Sequence, residues 1–380
     1  MESWNLDGSS QRLPISVLTG FLGSGKTTVL NHLIQQPGLS QTLVLINEFG
    51  EIGLDHELVE SSSEDMVLLQ SGCLCCTIRG DLINKLRSLF LRRVRGEISE
   101  FNRVIIETTG LADPAPILHT LMTEPLIAAR YRLDGVITAV DVVNGGDTLD
   151  RQVESVKQAA VADRLLLTKA DLADLDALRR LQDRLRSLNP AAPQIVAKAG
   201  VVDPTLLFDA GLYDPKTKSL DVQNWLKAEV YADPHDHGHG TDGHGDNHQH
   251  NDVNRHDAHI KALCLTIDEP IHGDALDLWL ESLLLLRGAD FLRIKGIINV
   301  VDLDGPVVIH GVQHIFHPAV MLKKWPSEDR RSRIVFITRD IDESVLRDTL
   351  KIFTDATAQR PELLPVESGD SDIAMFEVRP

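Results

Sequence analysis

The sequence predicts an α/β fold, in which a domain with a mostly parallel sheet is followed by a small α+β domain. Three observations carry this prediction. Short apolar strands alternate with amphipathic helices over about the first 200 residues, a pattern typical of a parallel sheet with helices on both faces. Polar motifs follow the strands directly, at the edge where such sheets bind ligands. A histidine-rich stretch then precedes a second, shorter set of strands and helices.

The predicted elements are apolar runs with the periodicity of strands or helices. The first-domain strands are Pro14–Thr19, Thr42–Ile46, Met66–Leu69, Val104–Ile106, Gly135–Val140, Arg164–Leu167 and Gln194–Ala197. The second domain has the predicted order β-α-β-β-β-α, with strands at Ala262–Ile267, Ile294–Val301, Val307–His310 and Arg333–Thr338 and helices at Leu276–Leu286 and Ser344–Phe353. We therefore expect domains at 1–230 and 261–358, a flexible linker at 231–260 and a tail at 359–380.

The first strand runs into Gly20-Phe21-Leu22-Gly23-Ser24-Gly25-Lys26-Thr27, which fits G-x-x-x-x-G-K-[ST]. Between a strand and a helix, this motif cradles phosphates with backbone N–H groups, and its lysine reaches the β- and γ-phosphates. The flanking elements argue against the alternative, a glycine-rich turn that binds nothing. The Thr27 hydroxyl is a candidate Mg²⁺ ligand. The candidate nucleotide-binding residues here are Gly20, Gly23, Ser24, Gly25, Lys26, Thr27 and Thr28.

Two more residues complete the predicted phosphate site. Glu107 ends a hydrophobic strand, where a nucleotide hydrolase needs a carboxylate near Mg²⁺. Gly110 can offer its backbone N–H to the γ-phosphate and move when that phosphate leaves. With Lys26 and Thr27, these are the candidate catalytic residues. The sequence shows no obvious arginine finger or catalytic base, so we expect slow hydrolysis until a partner binds.

The segment Thr168-Lys169-Ala170-Asp171 is the candidate base-binding loop. A carboxylate at Asp171 can accept hydrogen bonds from N1–H and the 2-amino group of guanine, which adenine does not supply in that geometry. The stem of Lys169 can lie over the purine face. Thr168 stands where the usual guanine motif has Asn, which leaves the strictness of guanine selection open. The alternative is a surface turn that starts a helix, where Asp is common.

Three of the four cysteines, Cys73, Cys75 and Cys76, lie within four positions. Three thiolates can bind Zn²⁺ and leave a fourth position for water, a carboxylate or a histidine, as a protein that hands metal onward needs. Joint ligation by the adjacent Cys75 and Cys76 requires a turn. The alternatives are a redox pair or small residues beneath a helix. The remaining cysteine, Cys264, lies in an apolar stretch and is expected in a core.

Eight histidines occur between residues 231 and 260, among Gly, Asp and Asn. Such a stretch has no apolar periodicity, and its imidazoles can bind Zn, Ni, Co or Cu weakly and exchangeably. A solvated linker with an accidental bias is the alternative.

Composition argues against two classes of partner. The formal net charge of −18 argues against non-specific binding to nucleic acid or to an anionic membrane surface. The first twelve residues contain no apolar core of a signal peptide, and no apolar run is long enough to cross a bilayer. We therefore expect a cytoplasmic protein without nucleic-acid or membrane partners.

Taken in this order, the P-loop, the C-x-C-C cluster, Glu107-Thr108-Thr109-Gly110-Leu111-Ala112-Asp113-Pro114 and the Thr-Lys-Ala-Asp loop resemble the CobW-like P-loop GTPases. Within that family the chain is most similar to the zinc-regulated GTPase metallochaperones. Asn47–Glu51 is similar to the family's first switch region, and Gly110–Pro114 to its second. The segment from Ala262 resembles the CobW C-terminal domain, with Arg293-Ile294-Lys295-Gly296 in a recognisable place.

The resemblance implies GTP hydrolysis coupled to the movement of a divalent metal, commonly zinc, with cobalt or nickel in relatives. It implies GTP and Mg²⁺ at the P-loop with Lys169 and Asp171, and Zn²⁺ at Cys73, Cys75 and Cys76. Glu48 and Glu51 are auxiliary metal-ligand candidates. A client metalloprotein is the implied partner, and the sequence leaves the formation of homo-oligomers open.

The leading hypothesis is thus a slow GTPase that loads or delivers Zn²⁺ in a nucleotide-dependent way. The alternatives are a metal buffer that uses the histidine tract, a GTPase insertion factor for cobalt or nickel enzymes, and a GTP-dependent switch in which metal is incidental.

Overall fold

The computed structural model describes residues 12–49, 66–71, 76–208 and 259–358. The strands are β1 (Leu13–Thr19), β2 (Thr42–Phe49), β3 (Met66–Ser71), β4 (Arg103–Glu107), β5 (Tyr131–Asp141), β6 (Arg164–Thr168), β7 (Gln194–Val196), β8 (Ile260–Ile267), β9 (Phe291–Ile298), β10 (Val307–Val312), β11 (Ile315–Met321) and β12 (Ser332–Arg339). The helices are α1 (Lys26–Ile34), α2 (Cys76–Val94), α3 (Ala115–Thr123), α4 (Pro125–Ala128), α5 (Gly145–Arg151), α6 (Val153–Val161), α7 (Leu175–Leu188), α8 (Pro204–Leu207), α9 (Gly273–Arg287) and α10 (Glu343–Ala358).

The first seven strands form one parallel sheet in the order β3-β2-β4-β1-β5-β6-β7. Alternate side chains of β4 face opposite sides, as the pleat of a strand requires. Val104 and Ile106 belong to a buried cluster that includes Leu86 of α2, whereas Ile105 belongs to another that includes Leu30 of α1. Helices therefore cover both faces, and the predicted mostly parallel sheet is confirmed.

The last five strands form an antiparallel sheet in the order β11-β10-β9-β12-β8. Helices α9 and α10 pack on one face of it. Trp279 of α9 is fully buried, lies edge-on to Phe336 at 6.0 Å between ring centroids, and donates to Thr349 Oγ1 of α10 at 3.0 Å. The predicted α+β architecture of this domain is confirmed.

The predicted order of this second domain was wrong in one element. Strand β11 was missed because Pro318 lies in its middle, and proline lacks the N–H that a strand in the interior of a sheet must donate. The structure places β11 at the edge of the sheet, where a proline is tolerated. Strand β9 also begins and ends three residues earlier than predicted, and the chain then turns through Asp302, which has a positive φ of 65°.

The other face of the second sheet packs against the first domain. Leu292 of β9 and Ile337 of β12 join a buried cluster with Leu165 and Leu185. Beside them, Asp163 lies between α6 and β6 and accepts hydrogen bonds from Arg293 and Lys295 of β9. This face holds the two sheets together.

None of the helices in the described ranges is long and apolar enough to span a membrane.

Candidate functional site

The candidate residues lie along the edge formed by the carboxyl ends of the first sheet. In sheet order, this edge carries the end of β3, Glu48 of β2, Glu107 of β4, the glycine loop after β1 and Thr168 of β6. Glu107 is in register with both Ile46 and Leu18 of its neighbouring strands. Since neighbouring strands lie about 5 Å apart, the predicted phosphate and base groups share one edge with the ends of β2 and β3.

The glycine loop closes around the amine of Lys26. Lys26 Nζ donates to the carbonyl oxygens of Gly20 and Phe21 at 2.9 and 3.2 Å. Gly20 has a φ of 140°, and a Cβ there would collide with the carbonyl oxygen of Ala139. The Oγ of Ser24 is buried and has no hydrogen-bond partner among the described residues. This geometry fits a loop that exchanges internal bonds for bonds to a phosphate.

Thr27 and Glu107 meet at the start of α1. Thr27 Oγ1 donates to Glu107 Oε1 at 3.1 Å, and Glu107 is buried at the end of β4. A hydroxyl and a carboxylate are the hard oxygen donors that Mg²⁺ takes up in nucleotide sites. The two side chains therefore fit a magnesium ion held beside the glycine loop.

The predicted second switch segment follows β4 and contacts the glycine loop. Thr108 Oγ1 donates to Thr19 Oγ1 at 2.8 Å, which ties the segment to the end of β1. A Cβ on Gly110 would lie 2.5 Å from the backbone nitrogen of Leu22. Only glycine fits this approach, so the main chain of Gly110 lies directly against the loop that is predicted to hold the phosphates.

The candidate base-binding loop is held in place by two contacts. Thr168 Oγ1 lies 2.6 Å from the carbonyl oxygen of Ser24 and 3.2 Å from that of Val140. Lys169 has a φ of 55° and donates to Asp141 Oδ2 at 2.8 Å. Burial acts to raise the pKa of the Asp141 carboxyl, but hydrogen bonds from Lys169 and Asn144 outweigh burial and hold this pKa below its ordinary value. Asp141 therefore stays charged and orients the lysine.

A third loop, which the sequence did not predict, contacts the same site. It follows β7, and the backbone N–H of Ala199 donates to Asp171 Oδ1 at 3.3 Å. Ala199 and Gly200 have positive φ values of 49° and 82°, and a Cβ on Gly200 would lie 2.9 Å from the methyl group of Thr28. Next to an exposed Asp171, a backbone N–H suits the O6 acceptor of guanine and opposes the 6-amino group of adenine.

Two side chains that lie at the candidate site were also missed. Asp141 ends the apolar strand β5, as Glu107 ends β4. This position at the end of a strand is the sequence feature that could have identified it. Gln158 lies within α6 and had no signal, because a glutamine in an amphipathic helix usually faces solvent. Both line a cavity of about 230 Å³ behind the glycine loop, together with Phe21, Leu22 and Lys169.

The candidate metal ligands fall mostly outside the described residues. This holds for Cys73, Cys75 and Glu51 and for all the histidines of the tract except His259. Cys76 is the first residue of α2 and Glu48 lies in β2 beside Gln70 of β3, without described side chains. Their ligand roles stay predictions, as do the nucleotide-site assignments.

Two family models match the chain in succession. The model "CobW/HypB/UreG, nucleotide-binding domain" matches residues 14–196. The model "Cobalamin synthesis protein cobW C-terminal domain" matches residues 260–354. They correspond to the parallel sheet and the antiparallel sheet.

Individual proteins are similar over most of the chain. The zinc chaperone YjiA of Escherichia coli (strain K12) is 30% identical over 335 residues, which cover 88% of this chain and 96% of YjiA. The zinc-regulated GTPase metalloprotein activator 1 of Schizosaccharomyces pombe is 32% identical over 204 residues, which cover 52% of this chain and 48% of that protein. The crystal structure of Zn(II)-bound YjiA GTPase from E. coli has a TM-score of 0.65 and 27% identity, covering 90% of this chain and 99% of that one.

Proposed function

This chain belongs to the CobW/HypB/UreG family, and from that premise we propose that it is a GTPase metallochaperone for zinc. It binds Zn²⁺ through Cys73, Cys75 and Cys76 and releases the ion to a client protein according to the bound nucleotide. The names of its relatives, a zinc chaperone and a zinc-regulated GTPase metalloprotein activator, support this assignment.

One observation supports the proposal: the strand that precedes the cysteine motif ends at the same sheet edge as the strands that carry the nucleotide-site candidates. Strand β3 ends at Ser71, one residue before the Gly72–Cys76 motif, and lies beside β2. Strand β2 in turn lies beside β4, which ends at Glu107. Three strand spacings, about 15 Å, separate β3 from β1. A rearrangement around the γ-phosphate would thus need to cross only two strands to reach the strand that precedes the cysteine motif.

The residues of the chain divide the work of hydrolysis. The glycine loop and Lys26 hold the phosphates, and Asp171 with the Ala199 N–H selects guanine. Thr27 and Glu107 would hold Mg²⁺, which would neutralise charge on the phosphates. Gly110 would place its N–H at the γ-phosphate and move when that phosphate departs. That movement is the event that changes the metal site.

The decisive measurement is the affinity for Zn²⁺ in competition with a chromophoric chelator. The protein would be loaded with Mg²⁺ and either GDP or a non-hydrolysable GTP analogue, with Co²⁺ and Ni²⁺ titrated in parallel. We expect the Zn²⁺ dissociation constants in the two nucleotide states to differ by about tenfold or more, which corresponds to a coupling of about 1.4 kcal/mol. Equal constants would refute nucleotide-dependent transfer, and tighter binding of Co²⁺ or Ni²⁺ would favour an insertion factor for those metals.

Cys264 supplies a matched control for the cluster. It lies in β8, packs beside Val335, and burial raises the pKa of its thiol to about 11. Such a thiol binds metal poorly because thiolates are the ligands. The triple variant Cys73→Ala/Cys75→Ala/Cys76→Ala should lose the tight Zn²⁺ site, whereas Cys264→Ala should keep it.

Deletion of the histidine tract tests the alternative of a metal buffer. The deletion should stop at residue 258, because His259 Nδ1 lies 2.7 Å from Asp340 Oδ1 and β8 starts at the next residue. A chaperone keeps its tight Zn²⁺ site and its GTPase activity after this deletion. A buffer loses most of its metal capacity.

A further inference from the structure

Gln158 fastens the second switch segment to helix α6. Its side chain is fully buried, and Nε2 donates to the carbonyl oxygens of Gly110 and Ala112 at 3.1 and 3.0 Å. The main-chain carbonyl oxygen of Gln158 accepts a 2.7 Å hydrogen bond from Thr138 Oγ1 of β5. The switch segment, the helix and the central part of the sheet therefore meet at one residue.

The side-chain oxygen of Gln158 indicates why a glutamine occupies this position. Gln158 Oε1 is buried without a hydrogen-bond partner among the described residues. Burying an unpaired acceptor is unfavourable, and an aliphatic side chain would fill the position without that cost. The two hydrogen bonds donated by Nε2 therefore account for a glutamine at this position, and both acceptors lie in the predicted second switch segment.

The far end of the same helix is fixed to the second domain. Asp163 follows α6 by two residues and is almost completely buried. Its Oδ1 accepts from Arg293 Nη2 at 2.7 Å and from Lys295 Nζ at 2.6 Å, and its Oδ2 accepts from the Val136 N–H at 3.0 Å. A buried carboxylate must keep such partners because water does not replace them. The end of α6 is therefore expected to move together with strand β9.

A second helix makes a similar connection. Helix α3 begins directly after the second switch segment, and His119 Nε2 lies 2.8 Å from the carbonyl oxygen of Val312 in β10. Since a carbonyl oxygen only accepts, Nε2 donates. The ring of His119 also lies edge-on to His314, at 4.8 Å between centroids. The switch segment is thus held between two helices that both touch the second domain.

We propose that Gln158 is a positioning residue for GTP hydrolysis and that α6 couples the second switch to the C-terminal domain through Asp163. The proposal rests on the proposed GTPase function. Gln158 fixes the main chain of Gly110 against Leu22 of the glycine loop. When Gly110 moves on phosphate release, its hydrogen bond to Gln158 displaces α6. The helix then displaces β9 through the contacts of Asp163 with Arg293 and Lys295. By reciprocity, a domain that holds Asp163 in place favours the competent switch.

Three variants test the coupling through GTP turnover. Gln158→Met removes the two donated bonds at similar side-chain length, and Lys295→Met loosens the domain contact while leaving Arg293 paired with Asp163. Asp134→Asn is the matched control, because Asp134 is a buried carboxylate of β5 that is paired with Arg103 at 2.7 Å within the first domain. We expect Gln158→Met to lower kcat about tenfold with little change in KM, and Lys295→Met to lower kcat in the same direction. The control should lower thermal stability but leave kcat unchanged.

Hydrogen exchange of the full chain supplies a readout that activity does not. We expect backbone amides of residues 291–298 to exchange at different rates with GDP and with a non-hydrolysable GTP analogue, and this difference to vanish in Gln158→Met. Equal rates in the wild-type protein, or an unchanged kcat in Gln158→Met, would overturn the coupling while leaving the GTPase assignment in place. A wild-type protein that does not hydrolyse GTP would overturn the proposed function itself.

Discussion

The hydroxyl of Thr168 lies 2.6 Å from the main-chain carbonyl oxygen of Ser24. This contact joins the candidate base-binding loop to the glycine loop across 144 positions of sequence. A hydroxyl has a single proton to donate, and the distance to Val140 is longer, at 3.2 Å, so Ser24 is the main acceptor. Thr168 therefore supports the glycine loop, and we expect its neighbours to select the base.

Replacing Thr168 with Ala should weaken nucleotide binding. The variant loses a buried hydrogen bond worth about 1 kcal/mol, so the dissociation constants of both GTP and GDP should rise about fivefold. Thr168→Ser keeps the hydroxyl and should bind nearly as the wild type does. Fluorescence titration with labelled GDP and GTP measures both constants. Equal affinities for the Ala variant and the wild type would show that the contact with Ser24 is dispensable.

Asp171→Asn should change which base is bound. The carboxylate can accept two hydrogen bonds from guanine, and an amide in its place offers a donor that suits the 2-oxo group of xanthine. Loss of two charge-assisted bonds should weaken GTP binding by about a hundredfold or more, and XTP should compete better than before. Competition between GTP and XTP measures the change. If the affinity for XTP does not increase, Asp171 is a surface carboxylate that does not contact the base.

The sequence predicted most of the edge that carries these residues, because each motif follows an apolar strand. Strand and helix periodicity located β1, β2, β4 and β6, and parallel pairing then fixes where their carboxyl ends lie. Gln158 and Ala199 were missed because their roles depend on contacts between distant segments, whereas Asp141 had a signal in its position at the end of β5. Ala199 acts through its backbone N–H, which no residue identity reveals. Strand β11 escaped because its proline argues against a strand until the edge position is known.

Glu107→Gln should separate catalysis from nucleotide binding. The amide keeps the shape and can still accept from Thr27 Oγ1, which lies 3.1 Å away, but it loses the negative charge that attracts Mg²⁺. We expect kcat to fall about a hundredfold and the Mg²⁺ concentration for half-maximal turnover to rise. Turnover measured across a Mg²⁺ titration tests this, with GDP affinity in EDTA as the control. An unchanged Mg²⁺ requirement would argue that Glu107 acts elsewhere.

The buried cluster of Asp163, Arg293 and Lys295 predicts an order of stabilities. One carboxylate faces two cations, all nearly inaccessible to solvent. Asp163→Asn removes the negative charge that faces both cations and should cost about 3–5 kcal/mol. Lys295→Met leaves one carboxylate with one guanidinium and should cost clearly less. Chemical unfolding of both variants measures the order, and a larger loss for Lys295→Met would contradict this account of the charges.

The same cluster predicts how stability depends on pH. Burial lowers the pKa of Lys295 to about 8, and the pull of Asp163 only partly offsets burial. An unfolded chain restores the ordinary value of 10.5. Above pH 8 the unfolded chain therefore holds a proton that the folded protein has lost, so the free energy of unfolding should rise with pH by up to about 1.4 kcal/mol per unit.

Ionisation of Cys264 limits the pH range in which this rise in unfolding free energy is visible. Burial raises the pKa of its thiol from 9.0 to about 11, so above pH 9 the folded protein retains a proton that the unfolded chain loses, which lowers stability. The test is therefore the difference in unfolding free energy between wild type and Lys295→Met, since Cys264 contributes equally to both. We expect this difference to shift in favour of the wild type between pH 7.5 and 9.5, as followed by urea denaturation. A difference that stays constant across that range would mean that Lys295 keeps its proton in the folded protein.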